Sequence, residues 1–170
     1  RSYKVDITPM EDGLIKVEIP ENIALDLAGN PNIAATPLEI TFDTQSPLIT
    51  RTNIKKFYEG NLPDQFTISF SEPIYNPEVD SDPDDVTNPA NYLLVEWGEN
   101  ATFDTISCKD GWQEDDKLIK ISSATYDEET FATTLKLPYK LAEGSYRLFI
   151  CGSATLYDAA MNPLNDGLDS

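Results

Sequence analysis

The sequence predicts an all-β sandwich. Three observations carry that expectation: apolar residues recur at every second position through most of the chain, turn-forming residues separate these runs, and no stretch holds a helical stripe beyond a turn or two. With 170 residues there is enough chain for one full core and part of another.

The elements follow in order. Tyr3, Val5 and Ile7 alternate with Lys4 and Asp6, and Ile15, Val17 and Ile19 come next. Leu38, Ile40 and Phe42 form a third run, Phe66, Ile68 and Phe70 a fourth, and Leu93, Val95 and Trp97 a fifth. Ile119 and Ile121, then Phe131, Thr133, Leu135 and Leu137, then Tyr146, Leu148 and Ile150 complete the series. Each reads as a half-buried strand whose quoted residues face a core. Between them lie Asp12-Gly13, Gly29-Asn30-Pro31, Asn61-Leu62-Pro63, Asn88-Pro89, Lys109-Asp110-Gly111 and Glu143-Gly144, all turn formers. Residues 43–47 carry no apolar side chain and end in proline, which places a junction there and divides the chain into modules 1–47 and 48–170. Residues 76–85 are acidic, lack alternation and contain prolines that block strand pairing, so they read as a surface loop.

Composition narrows the function. Thirty acidic residues against twelve basic ones give a net charge of -18, and the isoelectric point is near 4.1. Such a surface repels phosphate backbones and anionic lipid and attracts divalent cations, which argues against nucleic-acid partners. No apolar run reaches the length of a membrane span. The chain has no histidine, which removes Ser-His and Cys-His nucleophile systems, most transition-metal sites and the usual proton shuttle. Paired carboxylates of the glycosidase type need no histidine, but no pocket signature accompanies the acids, and the expectation is a protein without catalysis. The chain opens at Arg1, as a mature or excised segment would. Cys108 and Cys151 are its two cysteines; both fall in runs read as strands, and they suit either a cross-strand bridge or two buried thiols.

One motif occurs twice. Asp26-Leu27-Ala28-Gly29-Asn30-Pro31 returns as Asp158-Ala159-Ala160-Met161-Asn162-Pro163, the pattern Asp-x-Ala-x-Asn-Pro. A repeat at this distance points to tandem modules of one type. In the second copy Met161 stands where the first has Gly29, which makes a left-handed backbone there less comfortable.

At these residues the chain resembles the Ig-like repeats of large bacterial surface and adhesin-type proteins. Asp26 to Asn30, followed by a strand and then Thr41-Phe42-Asp43-Thr44-Gln45-Ser46-Pro47, is similar to the end of one such repeat. Phe66-Thr67-Ile68-Ser69-Phe70-Ser71-Glu72-Pro73 resembles the second strand of the next, Asn91-Tyr92-Leu93-Leu94 its third, and Leu141-Ala142-Glu143-Gly144-Ser145-Tyr146-Arg147-Leu148 the approach to its last strands. The resemblance implies an Ig-like β-sandwich in tandem, the first module incomplete and the second without its last strand. It also implies an extracellular or bacterial cell-surface location, structural or adhesive work, and neighbouring modules or copies of the chain as partners.

In an Ig-type sandwich alternate loops gather at one pole, which would bring Asp43, Glu72 and Asp158 together at the junction. Converging carboxylates need a cation, and hard, flexible oxygen ligands suit calcium, with the Asn162 amide oxygen as a further ligand. Asp26 and Asn30 are the equivalent pair at the upstream turn. The same residues also satisfy a purely structural reading, in which Asp and Asn bond their own backbone as Asx turns. Asp80, Asp82 and Asp84 alternate as at the start of a calcium loop, but the glycine and glutamate of an EF-hand are missing. Tyr92, Trp97 and Trp112 offer aromatic faces for a glycan. Trp97, continuing the alternation of Leu93 and Val95, suits core packing, and Trp112 follows a turn. A carbohydrate-binding or enzyme-accessory module, with a glycan or protein ligand, is the alternative.

Overall fold

The computed structural model describes residues 4–53, 62–77 and 82–170. Tyr3, Asn61 and Asp80 lie outside the described residues. The chain is all-β and divides into two compact units, Arg1–Thr44 and Gln45–Ser170.

The first unit holds one antiparallel pair, β1 (Gly13–Val17) and β2 (Leu38–Phe42), in the register Ile15 to Ile40 and Val17 to Leu38. Side chains alternate across a strand, so Ile15, Val17, Leu38, Ile40 and Phe42 share one face. The intervening chain is tied by Asn32, whose Oδ1 accepts the Ile23 and Ala24 amides at 3.0 and 2.9 Å. Its Nδ2 donates to the Pro20 and Ile33 carbonyls. Among the described residues of this unit none is buried, and Leu38 and Ile40 are 55% and 50% exposed. Residues 4–9, expected as a strand from the alternation of Val5 and Ile7, form none. Alternation without a neighbour to bond leaves an exposed extended segment, and Val5 is 78% exposed.

The second unit contains two antiparallel sheets. One has the order β3 (Ile49–Thr52), β4 (Gln65–Phe70), β8 (Ala132–Lys136), β7 (Ser123–Asp127). The other has the order β6 (Lys117–Ile119), β5 (Tyr92–Glu96), β9 (Tyr146–Ile150). Both feed one apolar cluster, with Phe66, Ile68, Phe70, Ala124 and Leu135 from the first and Tyr92, Leu94 and Ile150 from the second. Burying such aliphatic and aromatic side chains contributes about 1.5–3 kcal/mol each and is the main force holding the sheets together.

Strands β4, β8 and β9 present to this cluster the residues their alternation indicates. Strand β5 does not. Tyr92 and Leu94 belong to the cluster, whereas Val95, although fully buried, lies outside it and Trp97 is 36% exposed. At Leu94 and Val95 strand β5 is covered on both faces, so its alternation carries no direction. On the second face Arg147 stands opposite Val95, and its guanidinium lies 4.4 Å from the Phe103 ring centroid and 5.8 Å from that of Phe149. Phe103 belongs to residues 97–116, a strand-free stretch that ends at the start of β6.

Cys108 and Cys151 form a disulfide with a Cα–Cα distance of 5.5 Å. Cys151 follows β9, but Cys108 sits in a turn and residues 105–108 form no strand, so the bridge ties a loop to a strand end. Asp169 reinforces it: its carboxylate accepts the Cys108 amide at 2.7 Å, the Ser153 amide at 3.0 Å and the Ser153 hydroxyl at 2.6 Å. Burial works to raise the Asp169 pKa, but these donors outweigh it and hold the carboxyl below its ordinary range.

The acidic stretch also departs from a purely solvated loop. Asp85 and Val86 are fully buried, Asp85 accepts the Thr87 amide and hydroxyl at 2.7 and 2.8 Å, and the buried Tyr92 hydroxyl donates to the Val86 carbonyl. The backbone returns into the core because one aspartate satisfies the turn from inside.

The disulfide closes a sequence separation of 43 residues. Its removal by reductant, or by Cys108→Ser with Cys151→Ser, is expected to lower stability by about 4 kcal/mol in the loop-closure model. Urea unfolding with and without reductant measures this, and an unchanged midpoint contradicts it.

Candidate functional site

The two copies of Asp-x-Ala-x-Asn-Pro fold into the same turn. In the first, Asp26 Oδ1 accepts the Ala28 and Asn30 amides at 2.8 and 2.9 Å, and Asn30 Nδ2 donates to Oδ2 at 2.9 Å. In the second, Asp158 Oδ1 accepts the Ala160 and Asn162 amides, both at 2.8 Å, and Asn162 Nδ2 donates to Oδ2 at 2.8 Å. The main chain matches too: the amides of Asp26 and Asp158 donate to the carbonyls of Asn30 and Asn162. The motif therefore specifies a turn through its own side chains, and the Asx-turn reading describes both copies. The hydrogen bond from the Asn30 side chain, followed by those from the backbone, holds the Asp26 pKa below its usual value.

Asp158 is 2% exposed and pairs through an isolated β-bridge with Ile74, two residues beyond Glu72. This brings Glu72 and Asp158 together, with a carboxylate oxygen of each within 4.8 Å of the other. An ionised carboxylate offers about four lone-pair sites, and three at Asp158 are taken within its own turn. Asp43 belongs to the first unit, one residue beyond β2, and is half-buried. Asp26 and Asn30 are exposed in that unit.

The aromatic platform separates into unlike parts. Tyr92 is 4% exposed with its hydroxyl bonded inside, so it offers no face to a glycan. Trp97 packs its ring 6.0 Å from Phe103, while Trp112 is 50% exposed. Of the alternating aspartates, Asp82 Oδ1 accepts the Asp84 amide at 3.0 Å and Oδ2 lies 3.4 Å from the Tyr75 hydroxyl, both inside its own loop.

A second carboxylate group is present that no sequence pattern indicates. Asp104, Asp115 and Asp116 each place one oxygen within 4.8 Å of the others. They lie within the strand-free stretch, where neither alternation nor a repeat marks them; the adjacent pair Asp115-Asp116 is the one local signal.

No protein-family model matches the chain, and no curated protein matches it in sequence. Among solved structures it is similar to domains 1–6 of the surface layer protein SbsC, at 15% identity and a TM-score of 0.42, over 71% of this chain and 12% of that one. It is similar to the N-terminal part of the bacterial S-layer protein SbsC, at 15% identity and a TM-score of 0.40, over 71% of this chain and 21% of that one. A third likeness, to the S-layer protein rSbsC, has 12% identity and a TM-score of 0.42 over 74% of this chain and 13% of that one. The chain thus spans a small part of each. No helix among the described residues is long and apolar enough to cross a membrane.

The two turns differ at two positions, Leu27 against Ala159 and Gly29 against Met161, and the second bears on the backbone. Gly29 has φ 87° and Met161 has φ 69°, so methionine occupies a left-handed conformation that costs an L-residue about 1–2 kcal/mol. Met161 is 57% exposed, so little packing offsets that cost. Met161→Gly is expected to raise stability by about 0.5–1 kcal/mol, the relief being partly cancelled by glycine's larger unfolded-state entropy. A raised urea midpoint with unchanged slope measures it; a lowered midpoint contradicts it.

Proposed function

We propose that the chain is a non-catalytic structural and adhesive segment of a bacterial extracellular or cell-surface protein, built of tandem Ig-like modules and joined to neighbouring modules or copies of itself by shared strands. One observation carries the reading. The first unit presents a two-stranded sheet with one wholly apolar face, and none of its described residues is buried. A lone hairpin is marginal in water, and an apolar face of this kind requires a partner. The β-strand edges beside it supply unpaired backbone groups for a strand from another module. Two further facts agree with mechanical work: the chain lacks histidine, and the two Asp-x-Ala-x-Asn-Pro turns give it repeated, self-contained corners.

The finer part of the proposal concerns calcium. Glu72 and Asp158 lie close together within the second unit, and the Asn162 amide oxygen extends the ligand set that the sequence order suggests there. Calcium tolerates mixed carboxylate and amide oxygens, and extracellular modules hold it with dissociation constants of about 10⁻⁴–10⁻³ M.

Two measurements test these parts separately. In sedimentation velocity the chain is expected to associate as its concentration rises, and Ile40→Lys, on the apolar face, to weaken that association while leaving the circular dichroism unchanged. A chain that stays monomeric at every concentration overturns assembly. At 10 mM calcium, stability relative to chelator is expected to rise by about 1.4–2.7 kcal/mol for a site of that affinity. Part of that rise is expected to disappear in Glu72→Gln. A rise identical in Glu72→Gln and the parent chain overturns the calcium site.

A further inference from the structure

The strand-free stretch between β5 and β6 holds an aspartate whose burial is only half accounted for. Asp116 is 2% exposed. Its Oδ2 accepts two main-chain amides, from Asp104 at 3.1 Å and Thr105 at 2.8 Å. Its Oδ1 is buried and has no hydrogen-bond partner among the described residues. A buried, unsatisfied carboxylate oxygen costs several times an ordinary hydrogen bond, and native structures rarely keep one without water or an ion to meet it.

Its surroundings increase the negative charge. Asp104 is half-buried and Asp115 exposed, and each brings an oxygen within 4.8 Å of the Asp116 carboxylate. Neither is neutralised: among the described residues no lysine or arginine forms an ion pair with any of the three. Arg147 is the nearby cation, but its Nη1 is directed to the Thr105 carbonyl at 3.4 Å and its guanidinium is spread over Phe103. Burial acts to raise the Asp116 pKa, while the Thr105 and Asp104 donors and the charge of Arg147 lower it, and the net shift is downward.

The remaining bonds fix the ligands without using all their lone pairs. Asn100 donates its amide to Asp115 Oδ2 at 3.0 Å and its Nδ2 to Asp104 Oδ2 at 2.8 Å, which holds the two carboxylates beside one another. The backbone passes so close to Asp115 at Gly98 that a Cβ there would collide with its side chain and carbonyl. Three carboxylates held close by neutral donors, with one buried oxygen left over, form a receptor for a hard cation.

The geometry points to a divalent-cation site, best matched by calcium, formed by Asp104, Asp115 and Asp116. It is separate from the Glu72 and Asp158 pair and stands whether or not that pair binds metal. With no histidine in the chain and both cysteines in the disulfide, the donor set is all oxygen, the type that suits calcium, magnesium or manganese. Magnesium demands stricter octahedral geometry and keeps its waters, so a cluster of several carboxylates favours calcium. Bound there, the ion fastens residues 98–105 to residues 115–116, and hence the long loop to the sheet on which Phe103 and Arg147 stack.

Terbium luminescence excited through tryptophan tests this, because Trp97 immediately precedes Gly98. The measurement uses the full chain carrying Glu72→Gln, with Tb³⁺ and then Ca²⁺ as the probes. A saturable signal is expected, displaced by calcium at about 10⁻⁴–10⁻³ M and more weakly by magnesium. Asp115→Asn and Asp104→Asn, each added to that chain, are expected to weaken calcium binding at least about tenfold. Because Asp115 is exposed, its asparagine variant keeps the fold, which circular dichroism checks. Trp97→Phe is expected to reduce the signal more than Trp112→Phe. Absence of saturable binding up to about 10 mM calcium, ten times the weak limit for extracellular modules, overturns the proposal. Affinity unchanged within about twofold in both asparagine variants overturns it equally, since loss of a ligand costs far more.

Discussion

The interaction on which this structure depends is the aspartate carboxylate that accepts main-chain amides. With thirty acidic residues and twelve basic ones, the chain cannot pair most of its carboxylates with side-chain cations. It turns them inward on its own backbone. Asp26 and Asp158 close the repeated turns, Asp85 directs its loop into the core, Asp127 caps the turn between β7 and β8, and Asp169 binds both sides of the disulfide. Charge-assisted bonds of this kind are about twice as strong as neutral ones. They explain how a strand-free stretch of some twenty residues can lie ordered beside a three-stranded sheet. Where the backbone supplies too few donors, as at Asp116, the same logic calls for a cation.

Much of this was legible in the sequence wherever the cause is local. The repeated turn is specified by four residues within six positions, so its geometry follows from its letters. Strands β4, β8 and β9 each meet a core on one face, so alternation identifies the buried side. Strand β5 meets the shared apolar cluster on one face and the long loop on the other; Val95 and Leu94 are both buried, and alternation alone cannot rank them. The pairing of Glu72 with Asp158 was accessible because both sit at ends of recognisable strands or turns. Asp104, Asp115 and Asp116 were not, because a loop held by a disulfide, a cation-π stack and amide bonds brings them together, and none of these has a periodic signature.

The two units obey different physics. In the second, two sheets bury a common cluster and loops are fastened by aspartates. In the first, five apolar side chains share one face of a hairpin, and no described residue is buried. Burial of a hairpin face of this kind would gain for the first unit what the second has within itself.

The most direct measurement of that account is the stability of the chain against pH in metal-free buffer at fixed ionic strength. No histidine is present, so few groups titrate between about pH 5 and 8, and stability there is expected to be flat. For Asp127 the Thr130 and Glu129 donors, and for Asp169 the Ser153 and Cys108 donors acting against burial, hold the folded pKa below the unfolded value of about 3.9. A lowered folded pKa contributes stability above the unfolded value that is lost as pH falls through the folded one. The account therefore predicts a plateau and then a fall in stability below about pH 4, with net proton uptake on unfolding. Stability that instead keeps rising as the negative charge is titrated away would show that mutual repulsion of the acids outweighs their bonds to the backbone, and would contradict it.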